Sequence, residues 1–181
     1  MDFLGTLVLV VAAVIILILF LASRKPDIFR VERRLTVKAP AKRVFSQIND
    51  LHAWQAWSPW AKKDPAAKND FSGPQAGVGA SLAWEGNGQV GKGRMTIVES
   101  APDIHVSYRL EFEKPFRATN FAEFALHEAQ GETLIVWTMH GPAPLISKIM
   151  DLLMNMDRMI GRDFESGLES LRMIVEAPDK A

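Results

Sequence analysis

The chain has 181 residues, with 21 Lys plus Arg against 21 Asp plus Glu, and no cysteine. Balanced charge removes the global electrostatic case for a nucleic-acid partner, and the missing thiols exclude disulfides, thiol nucleophiles and cysteine-ligated zinc. The four histidines, His52, His105, His127 and His140, have no metal-ligand spacing, so neither a metal nor a cofactor is expected.

The chain opens on an almost unbroken apolar run, FLGTLVLVVAAVIILILFLA at 3–22, with only Gly5 and Thr6 interrupting it. A helix of about 20 residues spans about 30 Å, the thickness of the hydrocarbon core. A cleaved signal peptide would want a basic start and a shorter core, and here Asp2 is acidic. Residues 1–22 are therefore expected to be a transmembrane anchor and 23–27 a linker, with Pro26 ending the helix. Arg24, Lys25, Arg30, Arg33, Arg34 and Lys38 follow the run against only Asp27 and Glu32. Positive-inside logic places a single-pass protein in the cell membrane with its C-terminal domain, 28–177, in the cytoplasm.

That domain begins with alternation at 28–38, where Phe29, Val31, Leu35 and Val37 share one face of a half-buried strand. Arg33 falls on the apolar face and breaks the pattern. Pro40 opens a short helix carrying Val44, Phe45 and Ile48. A second runs through Leu51, Trp54 and Trp57 and is expected to stop at Ser58-Pro59. Strands are expected at 78–85, 93–100, 104–113, 117–127 and 132–140, joined by short turns and therefore antiparallel. In 104–113 the alternation is clean: Val106, Tyr108, Leu110 and Phe112 point one way. After Pro142 and Pro144, residues 145–175 read as one long amphipathic helix made to lie on the sheet. The expected fold is α+β: a helix-grip, in which a curved antiparallel sheet wraps a long C-terminal helix, preceded by one transmembrane helix.

The segments VKAPAKRVFSQINDLHAWQAWSPW at 37–60, SGPQAGVGASLAWEGNGQVGKGRMTIVES at 72–100, LEFEKPFRATNFAEFAL at 110–126, VWTMHGP at 136–142 and GRDFESGLESL at 161–171 together resemble the START/Bet v 1-like superfamily. Within it, they resemble the polyketide cyclase/dehydrase-like (SRPBCC) proteins, over about 27–175. The resemblance implies the helix-grip fold and a cavity between sheet and long helix. Its members include lipid carriers, hormone receptors, cyclases and chaperone co-factors, so activity does not travel with the fold. The apolar N-terminal run is an addition to the usual soluble domain.

With such a cavity, Trp54, Trp57, Trp60, Trp84, Tyr108, Phe112, Phe124, Trp137, Met150 and Met154 are the expected ligand-binding residues, and a small hydrophobic molecule or lipid the expected partner beside the membrane. The tryptophans read equally as core filling, and the methionines as plain packing or as a soft cover. Glu85 and His140 lie at strand ends and are weak acid–base candidates for a cyclase or dehydrase-type enzyme. No nucleophile–base arrangement is readable, and the chain is not expected to be an enzyme. A third reading is a protein-interaction module with a filled core. GNGQVGKG at 86–93 nearly spells a phosphate loop, but Gly93 replaces the Ser or Thr and a strand follows, so a glycine-rich hairpin is expected.

Overall fold

The computed structural model describes residues 3–178. Met1 and Asp2, the first residues of the expected anchor, lie outside the described residues. Helix α1 (Phe3–Ser23) is about 31 Å long at 1.5 Å per residue. Ala22 is its one fully buried side chain, with Ile18, one turn earlier, half-buried. Every other described residue of the helix is exposed.

Strand β1 (Ile28–Val37) follows, then the helices α2 (Ala41–Ile48), α3 (Leu51–Trp57) and α4 (Pro59–Lys63). Strands β2 (Lys68–Ser72), β3 (Ser81–Glu85), β4 (Lys92–Ala101), β5 (His105–Lys114), β6 (Ala118–Ala129) and β7 (Glu132–Pro142) complete one antiparallel, curved sheet in the order β1-β7-β6-β5-β4-β3-β2. Helices α5 (Leu145–Met154) and α6 (Met156–Val175) close the chain. β1 and β2 lie at opposite edges, so the connection through α2–α4 must cross the whole sheet. It does so on the face that carries α6, and the core lies between that face of the sheet and the helices.

Four details depart from the expectations. The edge strand β2 is not among the expected strands. Ser58-Pro59 ends α3 but also starts α4: the Ser58 hydroxyl accepts from the Ala61 N–H, and proline is well suited to the first helical position. The strand expected at 78–85 begins only at Ser81, because Gly77 and Gly79 sit at φ +80° and +90° and hold that stretch in a turn. The single long C-terminal helix is two helices. Asn155 adopts φ +49° between them, and its side chain caps α6 by accepting from the Arg158 N–H.

Arg33, the residue that broke the apolar face of β1, holds α6 in place. Its guanidinium donates to Glu165 at 2.7 Å and to Asp157 at 3.1 Å, and both acidic partners push its pKa up. It lies directly over Gly161, where any side chain would collide with it. On the solvent side of β1, Arg30 and Arg34 hold Glu32 down to about 2.

Two ion pairs tie α5 to the chain just after α1. Lys25 bonds Asp151, and Lys148 donates to Asp27 at 2.6 Å. Each lysine holds its carboxyl below the ordinary Asp value. A lowered folded-state pKa means that the contribution is complete above that ordinary value and disappears as pH falls through the folded one. Acidification below pH 3.8, the ordinary Asp value, is therefore expected to free α5 before α6. Hydrogen exchange would show this as loss of protection at α5 amides while those of α6 remain protected.

Candidate functional site

The face of the sheet toward α6 is set by strand parity. On β7, Ile135, Trp137 and Met139 face the helices, and on β6 Ala122, Phe124 and Leu126 do so. Helical spacing on α3 and α4 brings Trp54, Trp57 and Trp60 toward the same space. Trp137 is the hub. Its ring stacks on Phe164 of α6 at 3.9 Å and 2° and on Phe124 at 4.7 Å. It meets Trp54 and Trp57 edge-on at 5.7 Å and Trp60 at 5.9 Å. Tyr108 closes the cluster at 5.4 Å from Trp54, and its hydroxyl donates to the Ile48 carbonyl. Full burial pushes the Tyr108 phenol pKa far up, so it stays neutral.

Six of the expected ligand-binding residues, Trp54, Trp57, Trp60, Tyr108, Phe124 and Trp137, are thus brought together, and their rings fill the space between sheet and helix. Trp60 is half-buried; the other five are buried. In this packing the five buried rings meet one another and, at Trp137, Phe164 rather than solvent. Phe164 was legible in the sequence as one apolar position of the last helix, but nothing there showed that it would meet this ring.

The remaining candidates lie elsewhere. Trp84 and Phe112, both half-buried, meet edge-on at 5.7 Å toward the end of the sheet where β1 begins. Gly93 lies between them in the register, and a side chain there would reach within 2.7 Å of the Trp84 ring. Met150 and Met154 are on α5, which packs against α1 and α6. Phe112 also lines an open groove of about 640 Å³ with Glu111, Glu113, Arg117, Ala118, Thr119 and Pro142. A second hollow, about 280 Å³, lies between α3 and the β2–β3 loop, where His52 stacks on Phe71 at 3.9 Å.

Glu85 and His140 point to the opposite face of the sheet from Trp84 and Trp137, by parity. Glu85 is exposed and faces Lys92 at 3.5 Å; His140 is half-buried against the Phe121 ring. Four strand spacings, about 19 Å, separate their strands, so the two cannot act on one substrate atom. Among the described residues no group of three His, Asp or Glu side chains is placed to hold a metal ion. GNGQVGKG forms the β3–β4 hairpin. The Gly86 N–H donates to the Gly91 carbonyl at 2.8 Å, and a strand begins at Lys92.

The two central indoles differ in one respect. Trp57 donates its N–H to the Gln47 carbonyl at 3.2 Å, whereas the buried Trp137 N–H has no partner among the described residues. A buried orphan donor costs about 1–3 kcal/mol, and a made hydrogen bond contributes about 1 kcal/mol. Trp57→Phe is therefore expected to destabilise more than Trp137→Phe, by about 1–3 kcal/mol in urea unfolding, although both remove the same volume.

Comparison with known proteins places this architecture. Protein MLL2253 from Mesorhizobium loti shares the fold at TM-score 0.62 and 15% identity, covering 84% of this chain and 100% of that one. The Aha1 dimer from Colwellia psychrerythraea does so at 0.56 and 17%, covering 84% and 99%. CalU16 from Micromonospora echinospora does so at 0.54 and 16%, covering 83% and 85%. Among curated protein sequences none matches. Residues 29–176 match the family described as polyketide cyclase / dehydrase and lipid transport, which is all of the sheet but its first residue together with α2–α6. With the seven-stranded helix-grip around Trp137 and this match over most of its length, the chain belongs to the polyketide cyclase/dehydrase and lipid transport family.

Proposed function

We propose that the chain is a single-pass membrane protein whose domain, on the cytoplasmic side, takes up a small hydrophobic molecule or lipid from the bilayer that holds it. The observation that carries this reading is the placement of α1 relative to the groove. A 21-residue apolar helix with almost every side chain exposed has no favourable place in water. Residues 23–27 reach at most about 17 Å, so the domain stays at the lipid surface. Pro142, on the groove wall, pairs in register with Ile28, the first residue after that linker. The groove therefore opens on the membrane end of the sheet.

Within this reading Phe112 and Trp84 meet the ligand first. The rings of Trp54, Trp57, Trp60, Tyr108, Phe124 and Trp137 form the apolar wall beyond, reached when α6 carries Phe164 away, and Met150 and Met154 flank the approach. Burial of apolar area, at about 25 cal/mol per Å², drives uptake, and Arg117 with Glu111 and Glu113 orients any polar end.

The test uses the full chain in detergent, loaded with lipid extract from its own membrane. Native mass spectrometry should show a retained small molecule, and melting should shift upward with ligand. Absence of both would overturn the ligand reading. Extraction of membranes with alkaline carbonate should leave the protein in the pellet; release into the supernatant would overturn the anchor. The filled ring cluster also favours one other reading, a protein-interaction module. It predicts no retained small molecule and a protein that co-purifies through the domain.

A further inference from the structure

Helix α5 is amphipathic the wrong way round for a protein in water. An amphipathic helix on a soluble domain turns its apolar stripe inward and its charges outward. Here Lys148 is 8% exposed and is spent on Asp27, and Asp151 is spent on Lys25 and on the Met156 N–H. At 100° per residue, Ser147, Lys148 and Asp151 share one arc of about 100°. The opposite side carries Leu145, Ile146 and Leu153, exposed at 48, 60 and 69%, with Leu152 at its margin, exposed at 37%.

The geometry points to α5 as a membrane-surface helix, whose outward apolar face lies in the interfacial layer of the same bilayer that α1 crosses. This rests on reading α1 as the span. The occupant is lipid because of where the ion pairs hold the helix. α5 packs on α1, and its charges are fixed to residues 25 and 27, just past the last turn of α1. That is the depth at which an amphipathic helix buries its apolar side about 5–10 Å into the head-group boundary. The exposed cations Arg24, just past α1, and Arg158, just past the α5–α6 break, follow the two helices in sequence, as anionic head groups favour.

A second contact follows from the strand register. Ile28 pairs with Pro142, His140 with Phe121, and Phe112 with Ala118. The β5–β6 turn therefore lies at the same end of the sheet as the linker, and Phe116 at its tip is 63% exposed. β5 is three strand spacings from β1, about 14 Å. With α1, α5 and Phe116 give the domain three supports, which fix its tilt and hold the groove mouth against the lipid.

The chain has no cysteine, so single substitutions can carry a spin label in the full-length protein. Leu153→Cys and Phe116→Cys test the surface. Ile15→Cys reports the span, and His127→Cys, exposed at the far end of β6, reports water. The protein is placed in nanodiscs of equal phosphatidylcholine and phosphatidylglycerol, and collisions with oxygen and with a water-soluble nickel chelate are measured. Labels at 153 and 116 should lose nickel collisions relative to 127 and gain oxygen collisions, at a shallower depth than 15. Nickel collisions at 153 equal to those at 127, with 15 in lipid, would overturn the α5 proposal and leave the anchor standing. Nickel access at 15 would overturn both. Spin–spin broadening at 153, or nickel protection there without oxygen gain, would assign the face to a second copy or another protein and also overturn it.

Discussion

Phe164→Ala is expected to cost about 3–5 kcal/mol of folding stability, the range for truncating a fully buried phenylalanine. At roughly 2–4 °C per kcal/mol for a domain of this size, melting should fall by roughly 10 °C. The reason lies in what Phe164 covers. It stacks on Trp137 at 3.9 Å and meets Trp60 at 6.4 Å, so its removal leaves a hole walled by rings that come from two other elements, β7 and α4. Partial collapse cannot fill such a hole, because Trp137 is already fixed by Phe124, Trp54 and Trp57. The same substitution creates space where a helix-grip would hold its ligand. An apolar cavity of this kind stays dry and accepts small apolar guests. The variant should therefore recover part of its lost melting temperature in the presence of benzene, while the wild-type chain should not respond. A loss below 1 kcal/mol would show that the ring cluster is not the centre of the core.

Gly91→Ala is expected to cost more than its single methyl group suggests. Gly91 sits at φ +70°, where a non-glycine residue costs about 1–3 kcal/mol. Its new Cβ would also strike the Lys114 carbonyl of the neighbouring turn, a backbone atom that can yield only by moving strand β5. The hairpin holds Trp84 through the bond from its indole N–H to the Val90 carbonyl at 3.2 Å. The damage should therefore reach the groove, lowering the urea midpoint and quenching or shifting Trp84 fluorescence. Lys92→Ala is the matching control. Its ion pairs with Glu85 and Glu113 are long, at 3.5 and 3.6 Å, and partly exposed, so less than about 0.5 kcal/mol should be lost. Stabilisation of the wild-type protein by a nucleoside triphosphate, abolished in Lys92→Ala, would overturn the hairpin reading of GNGQVGKG.

Much of the fold was legible because it is written in short-range patterns. The strict alternation of Val106, Tyr108, Leu110 and Phe112 marks a strand whatever surrounds it, and the turns after each strand are too short for anything but antiparallel pairing. The break at Asn155 was not legible. Apolar and polar residues continue across it at helical spacing, and only the Asn155 cap and the Asp151 bond to Met156 interrupt the ladder. The Met-rich segment therefore reads as the start of the long helix, when it is a separate helix tied to Lys25 and Asp27. The site was half legible. Aromatic residues could be assigned to the grip, but whether they border a space or occupy it depends on where α6 settles.

The amino-acid sequence by itself determined the apolar helix at the start, the run of antiparallel strands between helical segments, and the faces that β1 and β5 turn inward. Those properties depend on residues within a few positions of one another. Tertiary structure alone decided that Phe164 closes over Trp137, that Arg33 reaches across Gly161 to Asp157 and Glu165, and that α5 turns its leucines outward. Each joins segments a hundred or more residues apart or, for Phe164, elements whose contact only the settling of α6 defines. Such contacts follow from packing three-dimensional shapes and charges together, which no local pattern encodes.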